Sequence, residues 1–349
     1  VASAREWLEG ARLRTLPASV SPILAGIGIA WFATPTGPPF TPNDWAPLRA
    51  VVEPLLCLVV GLGLQIGSNF ANDYSDGVRG TDAHRVGPMR LVGSGAAAPA
   101  AVKRAAWTGF LIACLAGLAL MALTTPLFSP ARWRALFADP AAQWAALAAP
   151  VIVVLVGLAC VVAAWFYTGG RHPYGYAGWG ELFVFIFFGL VAAIGTAYFL
   201  APSVCAPCSA GACPGCVRDI AWAPAIVNGI VMGCLATAIL VANNLRDLAS
   251  DRTAGKITLP VRLGDRGTRV LYLGCLIVAG AGLVVLGLLT SPFAWIGLAG
   301  MLLVVRPAVR VWRGVSGREL IHVLKLTGQA ELATALLLGA GLGIGWYAG

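Results

Sequence analysis

Nine apolar segments of about 20 residues divide this chain, at roughly 15–34, 51–71, 104–123, 147–167, 181–201, 223–243, 269–289, 291–311 and 328–348. Each is long enough to cross a hydrocarbon core of about 30 Å as a helix, which rises about 1.5 Å per residue. Lipid offers no hydrogen bonds, so every backbone N–H and C=O must be satisfied within the protein, and helices do this locally. Only 11% of the residues are charged, against 58% hydrophobic, where a soluble domain carries about a quarter charged. The expected fold is an all-α integral membrane protein with about nine transmembrane helices. It is expected to form one polytopic domain over residues 1–349, with no soluble domain appended. The first segment follows Arg5, Arg12 and Arg14, as a signal peptide would. It outruns an h-region of about 7–15 residues and further spans follow, so a retained helix is expected.

Basic residues test this division. The N-terminus and the segments after spans two, four, six and eight hold 20 of the 24 Lys and Arg residues, and the opposite face holds Arg49, Arg132, Arg134 and Arg218. Positive charge concentrates on the cytoplasmic side, which places the N-terminus and the even-numbered exits there, in a cell membrane. The net charge of +9 therefore reflects membrane topology and anionic ligands, not nucleic-acid binding.

Two of those exits echo each other. Span two ends in Ala71-Asn72-Asp73-Tyr74-Ser75-Asp76 and span six in Ala242-Asn243-Asn244-Leu245-Arg246-Asp247. Matched polar helix ends in two halves of a membrane protein point to a shared site. Asn69, Asn72, Asp73 and Asp76 sit at i, i+3, i+4 and i+7, so one helical face carries all four oxygen-bearing side chains. Asn243, Asp247 and Asp251 repeat the pattern at i, i+4 and i+8. Taken singly, such a cluster is an interfacial helix end paired with local Arg. Two matched clusters holding Asp73, Asp76, Asp82, Asp247 and Asp251, 5 of the 15 acidic residues, indicate a hard-cation site, with Mg²⁺ the expected metal.

Arg79, Arg85 and Arg90 follow the first cluster, and Arg246, Arg252, Lys256 and Arg262 surround or follow the second. Carboxylates, Mg²⁺ and guanidinium groups together suit a diphosphate, whose developing charge they neutralise. A charged head at the mouth of a lipid-embedded bundle implies a substrate with an apolar tail. A polyprenyl diphosphate meets both demands, because its allylic C–O bond ionises once the leaving diphosphate is stabilised. Tyr74, Phe166 and Tyr167 are candidates to shield the resulting cation.

Residues 69–95, NFANDYSDGVRGTDAHRVGPMRLVGSG, and 243–264, NNLRDLASDRTAGKITLPVRLG, resemble the paired acidic signatures of the UbiA superfamily of intramembrane prenyltransferases. The stretch 167–189, YTGGRHPYGYAGWGELFVFIFFG, and 12–26, RLRTLPASVSPILAG, extend the likeness over most of the chain. The last acid of the first signature is displaced, with Gly80 at its usual place and Asp82 beyond. That form resembles the branch acting on 1,4-dihydroxy-2-naphthoate in menaquinone biosynthesis. The resemblance implies nine helices around a central cavity, with the acidic motifs as loops (about 69–95 and 243–264) at its cytoplasmic mouth. It implies that Asn72, Asp73, Asp76, Asp247 and Asp251 hold Mg²⁺ and the prenyl diphosphate, assisted by Asn69 and Asn243, with Arg79, Lys256 and Arg262 on phosphate oxygens. It implies 1,4-dihydroxy-2-naphthoate as acceptor, prenylated with loss of carbon dioxide to give demethylmenaquinone. Arg171, His172 and Glu181 lie where they would place or deprotonate it.

Cys205, Cys208, Cys213 and Cys216 form C-x₂-C-x₄-C-x₂-C in an extracytoplasmic loop over about 202–222. Paired C-x₂-C invites a zinc reading, but zinc ribbons usually carry a much longer central spacer; an oxidising compartment favours disulfides, with reduced or mixed thiols the third alternative. The other five cysteines lie in apolar spans and read as small hydrophobes. The competing functions are prenyl transfer to another aromatic acceptor, such as 4-hydroxybenzoate or homogentisate, and ion or phosphate transport. Transport predicts polar groups distributed across the bilayer, whereas here the acids gather on one face.

Overall fold

The computed structural model describes residues 2–33, 46–81, 89–124, 140–201, 203–204, 217–218 and 220–348. Asp82 and the four cysteines at 205–216 lie outside the described residues. Among the described residues, ten α-helices follow in order: α1 (Ala4–Ala11), α2 (Pro17–Phe32), α3 (Ala46–Arg79), α4 (Pro99–Thr124), α5 (Pro140–Phe166), α6 (Gly180–Leu200), α7 (Trp222–Thr253), α8 (Leu259–Leu289), α9 (Leu298–Trp312) and α10 (Leu320–Ala348). The only strands among the described residues are two-residue pieces, Ser203–Val204 and Val217–Arg218, paired antiparallel. Eight helical stretches among the described residues are long and apolar enough to cross a membrane, and the 16-residue α2 is a shorter apolar helix. These account for the nine expected spans.

The short helix α1 precedes the bundle. Ser3 caps it in a reciprocal box with Glu6, satisfying N–H groups that the first turn leaves open. Arg12 then turns the chain through a left-handed conformation, φ 56°, and Trp7 packs edge-on against Phe70 of α3 at 5.6 Å.

α7 is the central post: 78% of its apolar window is buried inside the protein, against 6% for α5. Close crossings rely on missing side chains. A Cβ on Gly63 of α3 would sit 2.9 Å from the Gly109 carbonyl oxygen of α4, and one on Gly28 of α2 would sit 2.9 Å from Gly339 of α10. Such contacts replace hydrophobic driving force, which lipid does not supply between helices. Seven residues of α6, Phe185–Val191, are wound as a π-helix, a wider coil that recurs at functional sites.

One expectation needs correction. The acidic clusters at the start of each motif are helical: α3 runs on to Arg79 and α7 to Thr253, so Asp73, Asp76, Asp247 and Asp251 all project from helices. Their i, i+3 and i+4 spacings put them on one face of each helix. The rigid helices then aim the carboxylates.

Candidate active site

The ends of α3 and α7 meet at the mouth of a cavity of about 1420 Å³. Asn69, Asn72, Asp76, Asn243, Asp247, Asp251 and Lys256 all contribute to its wall, so residues of both clusters open onto one cavity. Deeper in, the wall becomes apolar, with Val60, Leu64, Met121, Val156 and Val191 among its residues.

Asp76 is the hub of the mouth. Its Oδ1 lies 3.5 Å from Lys256 Nζ and accepts a hydrogen bond from the Tyr176 hydroxyl, and its Oδ2 lies 3.5 Å from Arg90 Nη2. Tyr176 and Lys256 arrive from 100 and 180 residues along the chain, and Arg90 from 14. The Lys256 ammonium also lies 4.6 Å from the Tyr176 ring centre, and Arg79 stands 5.6 Å from the same ring. Burial and the adjacent Asp76 charge push the Tyr176 phenol above its ordinary range, so it stays protonated and donates.

Asp73 does something different. It is not part of the cavity wall. Its two oxygens accept backbone N–H bonds from Leu91 at 2.8 Å and Val92 at 3.0 Å. The carboxylate therefore anchors the segment after α3 and delivers the neighbouring Arg90 to Asp76. Leu91 is fully buried beneath it. Asn69 donates to the Ala11 carbonyl at 2.9 Å, tying α3 to the N-terminal turn, and Asn72 accepts from Thr168 at 2.7 Å.

On α7, Asp247 is gripped by Arg246 through bonds of 2.7 and 2.6 Å, and Arg246 also reaches Asn243 at 2.9 Å. Asn244 donates to buried Glu181 at 2.9 Å. Glu181 thus orients α7 against α6 and is not part of the cavity wall.

The third segment, 167–178, bridges the two motifs. Arg79 donates to the carbonyls of Thr168 and Gly170, while Ile257 N–H bonds to Tyr176 O at 2.9 Å and Arg262 to Ala177 O at 3.1 Å. Gly170 and Gly178 take φ of 74° and 81°, which a Cβ would strain. Tyr174 and Phe183 stack at 4.1 Å, Tyr167 meets Tyr174 edge-on at 5.5 Å, and Phe187 continues the row below. These four rings line the cavity as an aromatic column descending from the mouth. Burial raises the Tyr167 and Tyr174 phenols, so both stay neutral.

Several expected site residues therefore sit elsewhere. Tyr74 leaves the cavity to stack on Trp165 at 6.2 Å; Phe166 and Arg171 are exposed and do not line it. Arg262 braces a turn outside it, and Arg79 lines it but holds backbone carbonyls. Thr168, Tyr174 and Tyr176 belong to the mouth without having been singled out as its ligands. The three tyrosines within ten residues of a Gly-Gly pair were the available signal.

The donors at the mouth are carboxylate and amide oxygens. Among the described residues, no three His, Cys, Asp or Glu side chains converge as a ready-made metal cage. The oxygen donors present are of the kind Mg²⁺ prefers, since it takes one or two carboxylates and completes its shell with water and phosphate oxygens.

Residues 129–327 match the model of the UbiA prenyltransferase family. The 1,4-dihydroxy-2-naphthoate octaprenyltransferase of Mycobacterium tuberculosis (strain ATCC 25618 / H37Rv) is 42% identical over 345 residues, covering 99% of each chain. The Escherichia coli (strain K12) enzyme of the same name is 33% identical, covering 100% of this chain and 98% of its own. In fold, the chain resembles the apo structure of a UbiA homolog from Aeropyrum pernix K1, with TM-score 0.61, 16% identity and coverage of 94% and 97%. A UbiA homolog from Archaeoglobus fulgidus bound to GPP and Mg²⁺ superposes with TM-score 0.56, 13% identity and coverage of 96% and 99%.

Proposed function

This chain belongs to the UbiA prenyltransferase family, and from that premise we propose that it transfers a polyprenyl group from its diphosphate to 1,4-dihydroxy-2-naphthoate. The observation that carries the reading is the junction at Asp76. There both acidic motifs and the bridging segment converge on the mouth of a large apolar cavity. The names of the full-length relatives support the acceptor.

Asp76 from α3 and Asp247 and Asp251 from α7 are the carboxylates that would offer oxygens to Mg²⁺, one or two to an ion, with water and phosphate oxygens completing its shell, and the metal would withdraw charge from the leaving group. Lys256 and Arg90 place two cations beside the same oxygens. They bind Asp76 in the resting site and are positioned to turn to phosphate. The Tyr176 hydroxyl holds Asp76 in orientation, and its ring faces Lys256. Asp73 acts through Arg90 as a positioning residue.

As the allylic C–O bond breaks, its electron pair leaves with the diphosphate and the prenyl carbon becomes cationic. The ring column of Tyr167, Tyr174, Phe183 and Phe187 presents π faces at that depth and excludes water, which would otherwise trap the cation. The acceptor carbon bearing the carboxylate then forms the new C–C bond. Loss of carbon dioxide returns the electron pair to the ring, so no ring proton has to be removed. The product is demethylmenaquinone, initially as its quinol. By the charge asymmetry, the mouth faces the cytoplasm.

The test is turnover by detergent-purified protein given polyprenyl diphosphate and 1,4-dihydroxy-2-naphthoate, with Mg²⁺ or with EDTA. Mg²⁺-dependent prenylated product that Asp76→Ala abolishes supports the reading. Prenylation of 4-hydroxybenzoate or homogentisate in preference would remove the proposed acceptor. Folded protein that transfers nothing to any aromatic would remove the reaction as well.

A further inference from the structure

A second, smaller recess of about 380 Å³ lies on the outside of α4, formed by Lys103, Arg104, Trp107, Thr108 and Leu111. It does not belong to the catalytic cavity. Its features arise from three observations. Lys103 Nζ stands 5.6 Å from the ring centre of Tyr74 and 5.9 Å from that of Trp165, and Trp107 packs on Trp165 at 5.0 Å. The rings fix the ammonium without neutralising it, since a cation–π contact leaves the charge in place. Neither Lys103 nor Arg104 has an acidic partner among the described residues, and α4 contains no Asp or Glu. Two cations thus stand together with no carboxylate between them, so an anion bridging them would relieve their mutual repulsion.

The third observation is what lies below them. Leu111, Leu115 and Leu118 follow on the outer face of α4, 58%, 58% and 52% exposed, so an apolar track runs down the helix from the charged end. Lys103 and Arg104 sit in its second turn, on the face where α3 ends and the acidic mouth opens. We propose that this recess binds the headgroup of an anionic glycerophospholipid, with its phosphodiester between Lys103 and Arg104 and its acyl chain along Trp107, Leu111, Leu115 and Leu118. Charge complementarity selects the anion, and the apolar track selects a lipid over free phosphate. The site also accounts for Tyr74, which the catalytic cavity does not use: its ring helps to hold the lysine that meets the lipid.

The experiment is native mass spectrometry of delipidated protein titrated with dioleoylphosphatidylglycerol or dioleoylphosphatidylcholine. One phosphatidylglycerol adduct should form preferentially. Each cation is worth about fivefold in affinity for an anionic lipid, so Lys103→Gln/Arg104→Gln should weaken that adduct roughly 25-fold. Arg104→Gln alone, which leaves the aromatic packing intact, should weaken it about fivefold. Arg310→Gln/Arg313→Gln removes the same charge from exposed positions elsewhere and should leave the adduct unchanged. Equal loss in the two double variants would mean diffuse surface attraction and overturn the site. Equal phosphatidylcholine binding, or displacement of the adduct by millimolar inorganic phosphate, would overturn the ligand. None of these readouts depends on prenyl transfer.

Discussion

Asp73→Asn separates the roles of two acids that the sequence presents as equivalents. The wild-type carboxylate, 1% exposed, accepts from the amides of Leu91 and Val92 at 2.8 and 3.0 Å. The amide side chain keeps one acceptor oxygen and turns its NH₂ toward the other backbone N–H, so one buried donor loses its partner. Losing a hydrogen bond to a charged group costs about 1.5–3 kcal/mol and leaving a buried donor unsatisfied adds to that, so about 3 kcal/mol is expected. That energy is local: it releases the segment holding Arg90, and local opening should rise roughly 100-fold. Hydrogen exchange of the peptide containing Leu91 and Val92, followed by mass spectrometry, reads this directly. Asp76→Asn, whose partners are side chains, should leave exchange of that peptide within threefold of wild type, on the order of experimental scatter. If the two variants raised exchange equally, or neither did, Asp73 would not be the anchor described here.

Other expectations follow from the same geometry. Asp76→Ala should reduce transfer by about 10²-fold or more, as loss of a charge-organising group in a transition state does, with the helical content measured by circular dichroism unchanged. Tyr176→Phe keeps the ring facing Lys256 and removes the donor to Asp76, so product formation should fall about tenfold, the worth of one hydrogen bond to a charged group. Gly195 of α6 lines the cavity and a Cβ there would meet open space, about 22 Å below the start of its helix. Gly195→Trp should therefore abolish turnover of long polyprenyl diphosphates and spare short ones, checked by rates across a chain-length series. Arg269 donates to the carbonyls of Val311 and Val315 at 2.6 and 3.1 Å and grips Asp265. Arg269→Leu orphans those groups and should cost about 2–3 kcal/mol, seen as a lowered unfolding temperature in detergent.

The number of spans and the pairing of the acidic clusters were legible because both follow from local rules. Apolar runs of helical length have one stable form in lipid, and i, i+3 and i+4 spacing puts polar groups on one helix face whatever surrounds it. The partners of those groups were not legible. Tyr176 reaches Asp76 across 100 residues and Lys256 reaches it across 180, distances over which no periodicity speaks. Arg79 looked like a phosphate ligand because a basic residue after an acidic motif is chemically apt. Its position at the end of α3 instead put it beside the Thr168 and Gly170 carbonyls, which had no helical partner.

From sequence alone came the solvent in which this protein lives, how many times it crosses that solvent, which face carries its acids, and the resemblance that names its chemistry. Tertiary structure decided which acid does what. Asp73 and Asp76 are three residues apart on α3, so their side chains diverge by about 60° around the helix axis. That angle is small enough for a sequence pattern to read them as one face. It is also large enough for the returning 89–92 segment to claim one carboxylate while the cavity keeps the other.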